Sequence, residues 1–243
     1  LAQSTRQIVL THVNLFNGKQ NRIYTNSTVY IKDRKIFHID TISAPIRPGY
    51  EIIDVTGNYL VPGLIDAHTH LDNIAAAKRA LETGVTTVRT AGVPAFQDVA
   101  IANLVTGGIL AGPDIIPGGV YVTPQLGETI LADLRLDTLY TGVNTIDRLR
   151  HLVRINIDRG AKVIKTRGTE RAGTSETDPR QQVYNYKELK AIVDEAAKYD
   201  VPVMVHAHGD EGARAAVQAG AKSIEHGTFL TDSTLMLMKK SGT

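Results

Sequence analysis

The 243-residue sequence contains no cysteine. That excludes disulfides, a thiolate nucleophile and a thiolate metal site, so the ligands of a metal held by this chain are expected to be nitrogen or oxygen. No apolar run approaches the length of a bilayer-spanning helix, and no membrane partner is expected. An excess of one charge is also lacking: 27 Lys+Arg against 25 Asp+Glu leave a formal net charge of +2. Such a small imbalance gives no argument for nucleic acid or an anionic surface as partner. There is no low-complexity tract, no Gly-x-x-x-x-Gly-Lys-Ser/Thr phosphate loop, no Gly-x-Ser-x-Gly elbow and no Gly-x-Gly-x-x-Gly after a strand. Nucleotide transfer and serine acyl-enzyme chemistry therefore have no support. The hydrophobic share of 42% and charged share of 21% are ordinary for a globular protein, and the length suits one barrel or two smaller domains.

The sequence opens Leu1-Ala-Gln3 rather than with methionine, as a processed or trimmed chain would. A small residue there is compatible with signal-peptide removal and export, and a cytoplasmic location is also compatible. From about Gln7 to Ile53 come short β-like runs, Ile8-Val-Leu10, Thr28-Val-Tyr-Ile31 and Lys35-Ile-Phe-His-Ile39, punctuated by Asn17-Gly18 and Asp33-Arg34. Residues 1–58 are expected to be part of a small β-sandwich domain. From residue 59 the pattern changes to strands alternating with helices, the signature of a parallel sheet. Three helices run into a glycine that opens the next strand, at Gly84, Gly160 and Gly220, because glycine takes the left-handed turn past a helix end without strain. The clearest helix runs from Tyr186 to Tyr199, with Leu189, Ile192, Val193, Ala196 and Ala197 on one stripe and Asn185 with Glu188 as a capping box. The fold class is α/β: a TIM-like (β/α)8 barrel over residues 59–243, of which about six strands are counted where closure needs eight.

The histidines carry the chemistry. Leu60-Val-Pro-Gly-Leu-Ile-Asp-Ala-His-Thr-His70 runs an apolar strand into His68 and His70, which share a strand face because they are two apart. Neutral imidazoles placed at a barrel mouth are common ligands for divalent metals. Three more strand ends bear residues with metal chemistry: Lys165 in Ala161-Lys-Val-Ile-Lys165, His206 in Val201-Pro-Val-Met-Val-His206, and His226 in Ser223-Ile-Glu-His226. Strand C-termini of a (β/α) barrel converge on one face, so these four ends describe one site. An amine in an apolar strand has its ammonium form disfavoured, and a neutral amine takes up CO2 as a carbamate, an anion able to span two cations. Lys162 competes for that role but sits at the start of its strand. His12, His38 and His151 lie outside these motifs and are expected to be ordinary surface or sheet residues.

Taken together, Pro62-Gly-Leu-Ile-Asp-Ala-His-Thr-His70, Gly84-Val-Thr-Thr-Val-Arg89, Val163-Ile-Lys165, His206-Ala-His208-Gly209 and Ile224-Glu-His-Gly227 resemble the amidohydrolase superfamily. Within it they are most similar to the branch of imidazolonepropionase-like proteins and metal-dependent Xaa-Pro and Xaa-Arg dipeptidases. The resemblance implies a binuclear site for two divalent metal ions, with zinc the default. In it, His68 and His70 hold one ion, His206 and His226 hold the other, and Lys165, carboxylated by CO2, bridges them. The sequence departs from the family pattern in two places. The aspartate expected on an eighth strand has no counterpart before Thr243, and Asp66, one step deeper than His68, reads as a supporting carboxylate. The connection after His70 is short, with Leu71 and Asp72 leading to a helix from Asn73.

The expected activity is hydrolysis of an amide or peptide C–N bond by a metal-activated water, of dipeptidase, carboxypeptidase or N-acyl amino acid amidohydrolase type. His208 is expected to donate a hydrogen bond to substrate or intermediate. Arg167 and Arg171, in the loop after the fourth strand, are expected to clamp a substrate carboxylate, and Tyr184 and Tyr186 are candidates for a pocket wall. The same site would serve a lactone, cyclic amide or ester. A different class also stays open: a non-catalytic metal-binding module, or a fragment completed by a second chain. The expected partners are a small-molecule or dipeptide substrate and either a further copy of the chain or a second chain completing the barrel.

Overall fold

The structure, a computed structural model, describes residues 7–41, 45–173 and 175–243; the Leu1-Ala-Gln3 start lies outside them. The chain divides into two compact units, Leu1–Gly63 and Leu64–Thr243.

The first unit is built on β1 (Ile8–Phe16), β2 (Ile23–Lys32), β3 (Lys35–Asp40), β4 (Glu51–Asp54) and β5 (Tyr59–Leu60). They form one sheet in the order β3-β2-β1-β4, with β5 also on β1. The pairs β1–β2 and β2–β3 are antiparallel, whereas β4 and β5 run parallel to β1. Asp33 and Arg34, both at positive φ, make the two-residue turn between β2 and β3 that matches the twist of flanking strands. Alternate residues Val9, Val13 and Leu15 of β1 are buried with Val29 of β2, the period-two pattern of a half-buried strand. Among the described residues this unit forms a single sheet, and the sandwich of which residues 1–58 would be one part stays an expectation. Alternation tells which face of a strand is apolar and carries no information on how many layers cover it. Ile36, Phe37 and Ile52 accordingly remain more than half exposed. Tyr59 and Leu60 pair with Asn14 and Leu15, which draws them into this unit.

The second unit alternates strand and helix: β6 (Leu64–Thr69), α1 (Ile74–Glu82), β7 (Val85–Thr90), α2 (Gln97–Thr106), β8 (Asp114–Ile116), α3 (Ile146–Arg159), β9 (Ile164–Arg167), α4 (Tyr186–Ala197), β10 (Val203–Gly209), α5 (Asp210–Ala219), β11 (Ser223–Phe229) and α6 (Asp232–Ser241). The strands form two three-stranded parallel sheets, β6-β7-β8 and β11-β10-β9, and a parallel bridge from Val122 to Thr166 lies along β9. The arc curves far enough for Arg89 on β7 to reach Glu225 on β11. Among the described residues no helix is long and apolar enough to cross a membrane.

Local signals explain where these helices begin and end. Asn73 accepts a hydrogen bond from the Ala76 amide, Thr145 from that of Arg148, and Asn185 and Glu188 form both halves of the capping box on α4. Gly160 and Gly220 end α3 and α5 in the left-handed conformation. On α4, Leu189, Ile192 and Ala196 are buried and Ala197 is exposed, while Glu195 is buried within reach of Arg154 at 3.0 Å and Lys198 at 2.7 Å. A buried carboxylate persists there because it is paired. The main core joins Leu136, Leu149, Leu152, Ile164, Leu189, Ile192 and Val205 behind the strand ends.

Candidate metal and substrate site

The C-terminal ends of β6, β9, β10 and β11 meet around a cavity of about 470 Å3. His68, His70, Lys165, Arg167, Arg171, His206, His208 and His226 all line it, together with Tyr121, Val122, Thr166 and Ala172. Every candidate side chain singled out from the sequence for metal or substrate is thus brought to one place. Lys162 is exposed two residues ahead of β9, and Asp66 accepts from the His68 amide at 3.0 Å without lining the cavity. Tyr184 is buried, donating its hydroxyl to the Val143 carbonyl at 2.8 Å, and Tyr186 is exposed, so neither is part of the cavity wall. His12, His38 and His151 make local contacts with Asp54, Asp40 and the Arg135 carbonyl.

The imidazoles form a connected set. Ring centroids lie 5.4 Å apart for His68 and His70, 5.0 Å for His68 and His226, 4.6 Å for His206 and His226, and 4.8 Å for His206 and His208. His208 and His226 stack at 4.7 Å. One ligand nitrogen from each of His206, His208 and His226 falls within 4.8 Å of the others, close enough for a shared ion. The pairs His68/His70 and His206/His208 follow strand alternation. The position of His226 does not: its φ is 76°, followed by Gly227 at 61°. A left-handed histidine inside a strand is rare and costs strain that surrounding structure must hold. Its effect is that Glu225 and His226, neighbours that alternation would send to opposite faces, both reach His68.

Hydrogen bonds orient the rings. His68 Nδ1 lies 2.6 Å from Glu225 Oε2, His70 Nδ1 2.9 Å from the Gly92 carbonyl, His206 Nε2 3.1 Å from the Glu170 carbonyl, and His208 Nδ1 2.8 Å from Thr228 Oγ1. One nitrogen of His68, of His70 and of His206 is thereby engaged by an acceptor, which leaves the other as a lone-pair donor. Burial lowers the basicity of His68, His206, His208 and His226; His206 is pushed down to about 3 and His226 to about 4, the latter also by its imidazole neighbours. At neutral pH these four rings are neutral, the form that binds metal.

Lys165 is 2% exposed, and its Nζ is buried with no hydrogen-bond partner among the described residues. Burial pulls its pKa down to about 8; Glu225 opposes the shift, while Arg89, Arg171 and Arg167 add to it. An orphaned buried amine is costly. The orphaned nitrogen and the surrounding neutral imidazoles fit a cluster of divalent ions.

Three contributors escaped the sequence reading. Glu225, 7% exposed, accepts from His68, from Arg89 Nη2 at 2.9 Å and from Ser223 Oγ at 2.6 Å. Burial pushes its carboxyl up, yet the donors Ser223 and His68 and the charge of Arg89 together hold it below the usual range. Arg89 also donates to the Ala67 carbonyl at 2.7 Å and to Ser223 Oγ at 3.2 Å, tying β6, β7 and β11 together. Both residues stand in motifs quoted above, and their signal was a charge within an otherwise uncharged strand run. Tyr121, whose hydroxyl is 2.9 Å from His70 Nδ1, belongs to no motif. Its ring lies over Gly92, where a Cβ would come within 3.2 Å of it.

The loop after β9 roofs the cavity. Arg167 Nη1 donates to Glu170 Oε2 at 3.3 Å, and the Arg171 guanidinium lies 5.5 Å above the Tyr121 ring. Among the described residues no carboxylate pairs with Arg171. Gly168 and Gly212 let this loop touch the start of α5, since a Cβ on Gly212 would sit 2.4 Å from the Gly168 oxygen.

Comparison with known proteins agrees with this architecture. The profile of the Amidohydrolase family matches residues 59–242. An ochratoxinase of Aspergillus niger is 27% identical over 221 aligned residues, covering 75% of this chain and 46% of its own length. A solved Xaa-Pro dipeptidase with methionine bound in its active site superposes with a TM-score of 0.86 at 25% identity, covering 98% of this chain and 65% of its own. A prolidase complexed with N-methylphosphonate-L-proline gives 0.82 at 26% identity over the same shares. The chain therefore spans about half the length of that ochratoxinase and about two thirds of these solved chains.

Proposed function

This chain belongs to the amidohydrolase family, and from that premise we propose that it forms the metal- and substrate-binding part of a hydrolase that cleaves amide C–N bonds. The observation that carries the reading is the unpartnered, buried Lys165 Nζ among neutral imidazoles. In this proposal His68 and His70 would hold one divalent ion and His206 and His226 the other, with Lys165, as its carbamate, a ligand shared by the two; zinc is the default for such a donor set. When bound, the ions would supply a water of lowered pKa and polarise the scissile carbonyl.

The chain's own residues do the rest. Glu225 and the Gly92 carbonyl hold His68 and His70 in register. His208 is neutral because it is buried. In the tautomer with its proton on Nε2, Thr228 donates to Nδ1 and an N–H faces the substrate oxygen, where charge develops during attack. Arg171, and Arg167 beside it, take a substrate carboxylate by the two-pronged geometry that suits guanidinium. The net reaction adds water across the amide: the C–N bond breaks, a C–O bond forms, and the amine departs with a proton.

The test is a panel of dipeptides and N-acyl amino acids set against lactones, cyclic ureides and esters, assayed on the full-length, metal-loaded protein. Turnover of the amides with a free carboxylate supports the proposal. Failure on every peptide and N-acyl amino acid, with turnover of a lactone or ester, would transfer the site to that chemistry.

A further inference from the structure

A second cavity, of about 540 Å3, adjoins the first. Tyr121, Arg167 and Arg171 line both, so the stacked Arg171–Tyr121 pair stands as a partition between the metal cavity and a side chamber. The chamber's further walls come from Pro94 after β7, from Thr123, Gln125, Leu126 and Thr129 after β8, and from Thr177 in the loop after β9. Its volume is ample for a large amino-acid side chain.

The charges on its walls restrict what it takes. Arg167 and Glu170 pair with each other at 3.3 Å, which leaves Arg171 as the guanidinium with no carboxylate partner among the described residues. The remaining lining is methyl, ring, hydroxyl and amide. An uncharged side chain therefore suits the chamber, and a carboxylate attached next to it suits the partition. A molecule with those two features in that order is an α-amino acid, and an amide made on its nitrogen would present the scissile bond to the metal cavity on the far side of Tyr121.

We propose that the side chamber is the subsite for the leaving amino acid, with Arg171 binding its α-carboxylate and Tyr121 and Thr129 setting which side chains are accepted. The substrate class is then an N-acyl amino acid or dipeptide whose C-terminal residue is uncharged and of leucine to phenylalanine size. This rests on the amide-hydrolase reading for the identity of the scissile bond, but the chamber's preference for amino acids can be measured without turnover.

The experiment is calorimetric titration of the full-length, metal-loaded protein with glycine, L-leucine and L-phenylalanine and with their carboxamides. Leucine and phenylalanine are expected to bind at least tenfold more tightly than glycine, and each acid at least tenfold more tightly than its amide. Arg171→Gln should abolish the acid-over-amide preference, with Arg171→Lys restoring part of it. Thr129→Trp should cut the phenylalanine-to-glycine affinity ratio at least tenfold, and Thr123→Trp, at a second wall position, covers the case in which the first variant fails to fold. Equal affinities for the three amino acids, or a size preference that survives both tryptophans, would overturn the subsite. Size-selective binding without turnover of any amide would instead keep the subsite and sink the amide-hydrolase reading.

Discussion

Replacing Glu225 by glutamine tests whether the site is held by charge or by shape. The carboxylate accepts from His68 Nδ1 at 2.6 Å, Ser223 Oγ at 2.6 Å and Arg89 Nη2 at 2.9 Å while 7% exposed. Glutamine fits the same space but keeps one acceptor oxygen and turns an N–H2 toward donors. Breaking a buried ion pair costs about 3–5 kcal/mol. Here Arg89 is a quarter exposed and retains the Ala67 carbonyl and Ser223 as acceptors, so water and those bonds recover part of it. We expect a loss of about 2–3 kcal/mol, mostly from the stranded guanidinium. Urea unfolding of chelator-treated protein at neutral pH measures it. Because Glu225 also orients a ring assigned to metal, zinc affinity should fall by roughly 10–100-fold. If E225Q unfolded within about 0.5 kcal/mol of the parent and bound zinc equally well, the bond network would be ornament to the site and the reasoning wrong.

Lys165→Ala should remove most bound metal and activity, with recovery on adding short carboxylic acids that stand in for the carbamate. Metal content by mass spectrometry checks this, and an alanine variant that kept its ions and turnover would dismiss the bridging role. Asp133 is held below the usual carboxylate range by hydrogen bonds from Arg135, against the opposing effect of burial, with Arg159 adding to them. Its stabilisation is therefore fully present above the unfolded pKa of about 4 and is lost as pH falls toward the folded value. The difference in urea midpoint between the parent and Asp133→Asn should be level from about pH 5 to pH 7 and shrink below about pH 4; a difference that widens in acid would contradict the sign. Gly212→Ala would place a Cβ 2.4 Å from the Gly168 oxygen and 2.5 Å from Thr169 Cγ2. Thr169 in turn accepts from the His208 amide at 2.9 Å, so a loss of about 1–3 kcal/mol should come with weaker zinc binding, and an unchanged Tm would show the contact to be soft.

Much of the site is legible in the sequence because its parts obey short-range rules. His68 with His70 and His206 with His208 share faces through the period of two, and the capping box at Asn185 marks a helix start that the structure retains. Glu225 was hidden because it lies next to His226, and alternation assigns neighbours to opposite faces until a left-handed residue breaks the rule. Arg89 was hidden for another reason: its partners are 134 and 136 positions away. No local pattern foretells a pairing at that separation. Tyr121 stands outside every periodic run and acquires its place by packing on Gly92.

The sequence by itself determined one limit on the ligand chemistry: with no cysteine, no metal can meet a thiolate, and the strand ends offer imidazole and amine nitrogen instead. Hydrophobic periodicity likewise set strands alternating with helices, since both depend on residues within a few positions of one another. Only the tertiary structure decided that β1 to β5 share one sheet, that a buried Glu225 ties His68 to Arg89, and that Lys165 Nζ has no hydrogen-bond partner among the described residues. Those outcomes depend on which distant groups share a low-dielectric space, and that is a property of the packed chain, where desolvation and pairing are settled together.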